Sequence, residues 1–117
     1  MLNGALFAII EEAAIAVLIL TEEAERDELL ASRITGAEVR RQLQIVADMM
    51  AEVSAETRKR MPELEWAGWS TTGRALNGRN AEADEALWFA ARSLVPATVM
   101  WLRVYRLSQP ELFTFQA

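Results

Sequence analysis

The sequence predicts an all-α fold: an antiparallel four- to five-helix bundle in a single domain, residues 1–117. Three observations predict it. Apolar residues recur at helical spacing, most clearly Val39, Leu43, Val46, Met50 and Val53. No stretch alternates apolar and polar residues over a useful length, so no strand is expected. Apolar side chains make up 52% of the chain, with only five glycines and three prolines in 117 residues, a composition for packed helices and not for disorder.

The first helix is expected over Leu2–Leu20. Leu6, Ile9, Ile10, Ala13, Val17 and Leu20 form one stripe, and Phe7, Ala14, Ile15, Leu18 and Ile19 widen it almost all round. Such a helix wants cover on two sides, either as a central core helix or against a dimer mate. Glu11 and Glu12 interrupt the apolar runs and no basic segment precedes them, so the expectation is a buried helix and no membrane insertion. Thr21 is expected to cap a short second helix, with Glu22 and Glu23 in its first turn and its end near Ser32. Thr35-Gly-Ala-Glu38 reads as a capping box that opens the third helix, which runs to Ala51–Val53. Ser54 caps one further short turn through Arg58-Lys59-Arg60, and Pro62 stops it.

The fourth helix begins at Glu65 or Trp66, with Trp66, Trp69, Gly73 and Leu76 facing one way. Gly68 and Gly73 cost helix stability and are expected where another backbone comes close. Asn77-Gly78 is expected to end this helix in a left-handed cap. The last helix starts near Asn80–Glu82. Its core face reads as Ala83, Leu87, Ala90, Leu94, Ala97, Trp101 and Val104, with a kink at Pro96 and a stop at Ser108-Gln-Pro110. Residues 108–117 form an apolar tail, with Leu112, Phe113 and Phe115, that docks on the bundle or on a partner. This tail and the first helix offer more apolar surface than one small bundle needs, which favours a homodimer.

Composition narrows the chemistry. The chain has no cysteine, which removes disulfides, thiolate metal sites and cysteine nucleophiles. It has no histidine, so the commonest general base and metal ligand are missing. Glu11 and Glu12 are adjacent and point about 100° apart on a helix, so they do not clamp one metal. No cofactor and no metal are expected. The net charge is −5. Residues 1–57 carry 4 basic and 11 acidic side chains, a balance of −7, and residues 58–117 carry 8 basic and 6 acidic, a balance of +2. Nucleic-acid affinity rests on neutralising phosphates, so RNA binding is expected to be weak or absent outside a local patch in the second half. Arg58, Lys59, Arg60 and Arg79 are the candidate RNA or partner contacts. The first three also sit where a helix C-terminus attracts cations.

The densest cluster lies between Pro62 and Trp88, which holds three of the four tryptophans and Arg74. Ser70, Thr71 and Thr72 have no histidine to activate them, and an ion pair from a buried Arg74 to Asp48 is the simplest structural role for that arginine. Taken in order, Ser32-Arg33-Ile34-Thr35, Val39-Arg-Arg-Gln-Leu43, Ile45-Val-Ala-Asp48, Arg60-Met-Pro62-Glu-Leu-Glu-Trp66, Gly73-Arg74, Trp88 and Pro96 resemble the HepT-like proteins of the HEPN superfamily. The resemblance covers about residues 5–106. It implies a homodimeric helical bundle, a cytoplasmic toxin partnered by a minimal nucleotidyltransferase antitoxin in prokaryotes, and metal-independent ribonuclease activity. That family's motif is an arginine, about four to six residues, a histidine, and a tyrosine two beyond, to which the antitoxin transfers AMP groups. Two copies of the motif meet across the dimer.

Arg74 matches the motif arginine. The histidine position falls on Arg79, Asn80 or Ala81, and the tyrosine position on Ala81 in the shortest alignment. None of these takes or gives a proton near neutrality, and loss of a general acid or base costs about 10²- to 10⁴-fold. The only tyrosine, Tyr105, lies elsewhere. The expectation is a homodimeric, partner-binding relative whose catalysis is lost. The competing readings are an active ribonuclease that uses Arg74 and Arg79 electrostatically, and a small helical interaction protein of other ancestry.

Overall fold

A computed structural model describes residues 3–114, and the chain is all-α, with no strand among the described residues. Helix α1 spans Asn3–Thr21, α2 Arg26–Ala31, α3 Arg33–Glu52, α4 Ala55–Arg60, α5 Trp66–Ala75, α6 Ala81–Phe89 and α7 Val95–Ser108. A π-helical segment, Ala90–Leu94, joins α6 to α7, and a 3-10 turn, Pro110–Phe113, follows α7. The rod from Ala81 to Ser108 is about 42 Å long at 1.5 Å per residue, which accounts for the molecule's longest dimension of 43 Å.

Helix α1 is the central element. It packs most extensively against α3, then against α7 and the 3-10 turn. Leu6, Phe7, Ile10, Ala13, Ala14 and Val17 are buried, so its broad apolar face is met by helices of the same chain. By length and composition α1 is apolar enough to cross a membrane, but here it is the core helix of the bundle. The tail docks on it: Phe113 lies 5.0 Å from Phe7, centroid to centroid, and Leu112 is buried. Gly4 permits this, because a Cβ there would overlap the carbonyl of Thr114. Phe115 lies outside the described residues. The first helix and the docked tail therefore consume much of the apolar surface that sequence alone assigned to a dimer mate. Ile19 (67% exposed) is the large α1 residue left outside.

Several helix ends follow the sequence. Ser54 caps α4 by accepting from the backbone N–H of Thr57, and Asn80 caps α6 by accepting from Ala83 N–H. Others differ. Thr21 opens no helix; it is the last residue of α1, and its buried hydroxyl donates to the carbonyl of Val17. Glu22 and Glu23 therefore lie in the turn, and α2 begins after Glu25, whose N–H donates to Glu28. Ser32, not Thr35, caps α3, through its hydroxyl oxygen and Thr35 N–H at 3.1 Å. Glu38 is then free of capping duty. It accepts from Arg41 and Gln42, and chiefly the Arg41 hydrogen bond lowers its pKa to about 2. No left-handed cap ends α5: Leu76 is in the right-handed helical region and no glycine has positive φ among the described residues. Gly68 and Gly73 face side chains, Leu94 Cδ2 and Ala47 Cβ, and not another backbone.

The largest departure is at Pro96. The expected kink is a π turn, closed by Val95 N–H donating to the carbonyl of Ala90, five residues back. Proline has no N–H, and its ring collides with the carbonyl four residues earlier in a regular α-helix. Widening the preceding turn relieves this and adds one residue to it. The buried face consequently advances by one position. Before the π turn it is Ala83, Leu87, Ala90 and Leu94 as the spacing predicts; after it, Thr98, Leu102 and Tyr105 are buried, and not Ala97, Trp101 and Val104.

The new register supplies two polar anchors. Trp69 is fully buried, and its indole N–H donates to Thr98 Oγ1 at 3.0 Å. Thr98 in turn donates to Leu94 O at 2.7 Å. Tyr105 is buried, and its hydroxyl accepts from Glu63 N–H at 3.3 Å, fixing the link before α5.

Thr98→Val keeps the shape and leaves the Trp69 indole without an acceptor. Denaturant unfolding should show a loss of about 1–3 kcal/mol, with the helical circular dichroism retained. Glu38 has a folded pKa below its unfolded one, so its stabilising contribution is present above the ordinary carboxylate range and is lost as pH falls toward about 2. A carboxylate NMR titration should place Glu38 near that value, and Arg41→Ala should return it most of the way to normal.

Candidate functional site

The candidate residues lie on α5, on the Leu76–Asn80 link and on α4. Helix α5 is held from within by Trp69 and from its start by Trp66, whose indole N–H donates to Met61 O at 3.0 Å. This leaves Ala67, Thr71 and Arg74, at spacings of four and three, as one exposed stripe. Arg74 is exposed and its guanidinium reaches only Ser70 Oγ, at 3.3 Å, among the described residues. The structural role expected for it is absent. Asp48 is also exposed, and accepts instead from Gln44 at 3.0 Å. Arg74 is thus a surface cation.

Beside this stripe runs a groove of about 490 Å³ between α5 and α6. Gly68, Thr71, Thr72, Ala75 and Ala86 make a floor of small residues, and Glu82 and Glu85 stand on its α6 side. Phe89, 54% exposed, projects at its end. Glu85 pairs with Arg26 of α2.

The residues at the expected histidine position are occupied otherwise. Asn80 spends its side chain on the α6 cap. Arg79 is exposed, and its side chain makes no hydrogen bond or ion pair among the described residues. It lines a different depression, shared with Arg33 and Arg40 of α3. Arg40 donates through Nη1 to the carbonyls of Leu76 and Gly78, and so pins the link that carries Arg79. The motif positions are therefore split: Arg74 lies on the exposed stripe of α5, outside the groove lining, and Arg79 lines a separate depression.

The Arg58-Lys59-Arg60 run divides as well. Arg58 donates to the carbonyls of Val53, Met50 and Ala51 at 3.0–3.2 Å, covering the end of α3, and its guanidinium lies 5.3 Å from the Trp66 ring centroid. It is a structural cap. Arg60 pairs with Glu111 at 2.5 Å, tying α4 to the 3-10 turn. Glu111 is held below the usual carboxylate range, first by its own backbone N–H and then by Arg60. Lys59 alone of the three is an exposed cation without a partner among the described residues. Glu11 pairs with Arg106 at 2.9 Å, and no acidic cluster with metal-binding geometry occurs among the described residues.

No protein-family model matches the sequence, and neither the curated proteins nor the solved structures searched contain a match. Assignment of chemistry therefore rests on these residues. Sequence reasoning missed Arg33 and Arg40 as site residues. Their separation of seven places both on one face of α3, two turns apart, and that was the available signal.

Arg58 and Arg74 should respond oppositely to truncation. Arg58→Ala leaves the last carbonyls of α3 without their donor and should cost about 1–3 kcal/mol in denaturant unfolding. Arg74→Ala should change stability by no more than about 0.5 kcal/mol.

Proposed function

We propose that this chain is a HepT-like helical protein of the HEPN superfamily that has lost ribonuclease catalysis and acts in the cytoplasm as a homodimeric, partner-binding module. One observation carries the reading: Arg74 is presented on an exposed helix stripe with no proton-transfer group beside it. RNA cleavage through the 2′-hydroxyl needs a side chain that moves a proton near neutral pH. The neighbouring positions hold arginine, a capping asparagine and alanine, and the chain has no histidine or cysteine at all. Arginine stays protonated, so it stabilises charge without exchanging protons.

The dimer reading draws support from the same face. A groove floored by small residues and a projecting Phe89 lie side by side on α5 and α6. A two-fold interface needs one patch that carries both knob and hole, because each subunit supplies the same surface. The partner beyond the dimer is, by the same resemblance, a minimal nucleotidyltransferase. Helix α5, with Arg74 and its apolar flank, is the surface it would read.

Light scattering across a concentration series should return twice the mass of the 13.1 kDa chain, and Phe89→Glu should return a monomer with unchanged helicity. A wild-type monomer at every concentration would sink the dimer. Incubation with structured and single-stranded RNA should leave both intact without metal. Cleavage that disappears in Arg74→Ala would instead establish a live ribonuclease.

A further inference from the structure

Three guanidinium groups converge on a depression of about 290 Å³ at the other end of the α5–α6 link. Arg33 and Arg40 come from α3 and Arg79 from the link, while Leu29, Leu30 and Leu87 form an apolar part of the wall. Asp84 is the one acid in the lining, so the local balance is +2 in a chain whose net charge is −5. Such a concentration of like charge is costly unless something answers it. Among the described residues Asp84 answers it only in part: the side chains of Arg33, Arg79 and Asp84 make no hydrogen bond or ion pair, and Arg40 commits only its Nη1, leaving Nη2 and Nε unpaired. The commitment of Nη1 also orders the site. By holding the carbonyls of Leu76 and Gly78, it fixes the link and brings Arg79 to the same hollow as Arg33.

We infer that this hollow is a binding site for a small phosphate monoester. A monoester carries about −1.5 to −2 charges at neutral pH, matching the local excess, and its oxygens accept the paired N–H groups that guanidinium presents. The volume is near the lower end of small-molecule sites, enough for the phosphate and a compact organic group against the leucine wall. A polyanion fits less well. Next to the lining residues in the chain, α2 presents Glu28 and the first turn of α6 presents Glu82, both exposed, which would repel a continuing phosphate backbone. The site is separate from the α5–α6 groove, with no lining residue in common, and its occupancy does not depend on how that groove is used.

Phenyl phosphate is a suitable probe because it offers one monoester and one small apolar group. Calorimetric titration at fixed low ionic strength should show saturable binding of one equivalent per chain. Arg33→Ala and Arg79→Ala should each weaken it by about tenfold or more. Both side chains are exposed and unpaired, so these variants should keep their circular dichroism and melting curve. Asp84→Asn should tighten binding, and Arg103→Ala, on a separate surface, should leave it unchanged. A parallel titration with a short single-stranded RNA, with and without a 5′-phosphate, identifies the source of the monoester. Binding only of the 5′-phosphorylated form would assign the site to RNA ends, and binding of phenyl phosphate but neither RNA to phosphorylated small molecules. Absence of saturable phenyl phosphate binding, equal binding of the 5′-hydroxyl RNA, or an equal loss in Arg103→Ala would each overturn the proposal.

Discussion

Pro96 sits in the middle of the longest helical rod, and what that ring forbids organises the half of the molecule that carries the candidate sites. A straight α-helix cannot pass through a proline without an orphaned carbonyl and a clash one turn earlier. Here the preceding turn opens to a five-residue repeat, Val95 bonds to Ala90, and the rod continues. The extra residue rotates everything after it by roughly 100°. That rotation turns Thr98 toward Trp69 and Tyr105 toward the α4–α5 link. Without it Trp101 and Val104 would face inward, and the Trp69 indole would lose its acceptor. The position of α5, and so of Arg74, depends on a backbone adjustment at Ala90–Leu94, in a different helical rod.

A second constraint acts at the other end of α5. The last carbonyls of α5, those of Thr72, Arg74 and Ala75, accept from the N–H groups of Leu76, Asn77 and Gly78 without a left-handed glycine, and Arg40 of α3 holds the next ones, of Leu76 and Gly78. Using a side chain of a different helix as the cap couples the α5–α6 link to α3. It also leaves a charged group in the hollow where Arg33 and Arg79 gather. Arg58 uses the same device at the end of α3. For Arg58 the planar fork matters, because Nε and Nη2 together reach three carbonyls, whereas Arg40 reaches its two through Nη1 alone. A chain with eleven arginines and one lysine has the means to end helices in this way.

These features separate what local sequence encodes from what it does not. Ser54 caps the helix it was expected to cap, and Asn80 opens the last helix within the expected range, there as its cap. Ser32 and Thr35 were rivals, three residues apart, and local pattern favoured Thr35 because Glu38 completes a box. Tertiary circumstance favoured Ser32: the end of α2 already turns there, and Glu38 finds better partners in Arg41 and Gln42. Thr21 failed as a cap because burial gave its hydroxyl a carbonyl within its own helix. The α6–α7 core face was legible up to Leu94 and wrong beyond it, since one period cannot describe two registers. Arg74 was recognised as a residue to watch, but its exposure was not foreseen. Of the arginine hollow only the parts were legible, Arg79 as a candidate contact and the spacing of Arg33 and Arg40 on α3, because only the packing of α3 against the link brings them together.

Charge placement bears on what such a molecule is able to bind. The charged residues of α1 are both acidic, as are two of the three in α2, and acids recur at the start of α6, so a polymer of phosphates reaching these elements meets repulsion. Attraction comes from isolated cations, among them Lys59 and Arg74, the latter on the helix that carries an apolar groove, and from three arginines around a hollow. The first arrangement suits a protein surface, where an apolar contact provides affinity and one charge provides register. The second suits a compact anion that is satisfied by a few donors and extends no further. Both follow from the same circumstance, that the basic residues of an acidic chain are placed singly or in one small cluster and not along a continuous track. A ligand therefore has to be small, or else to bring its own apolar surface.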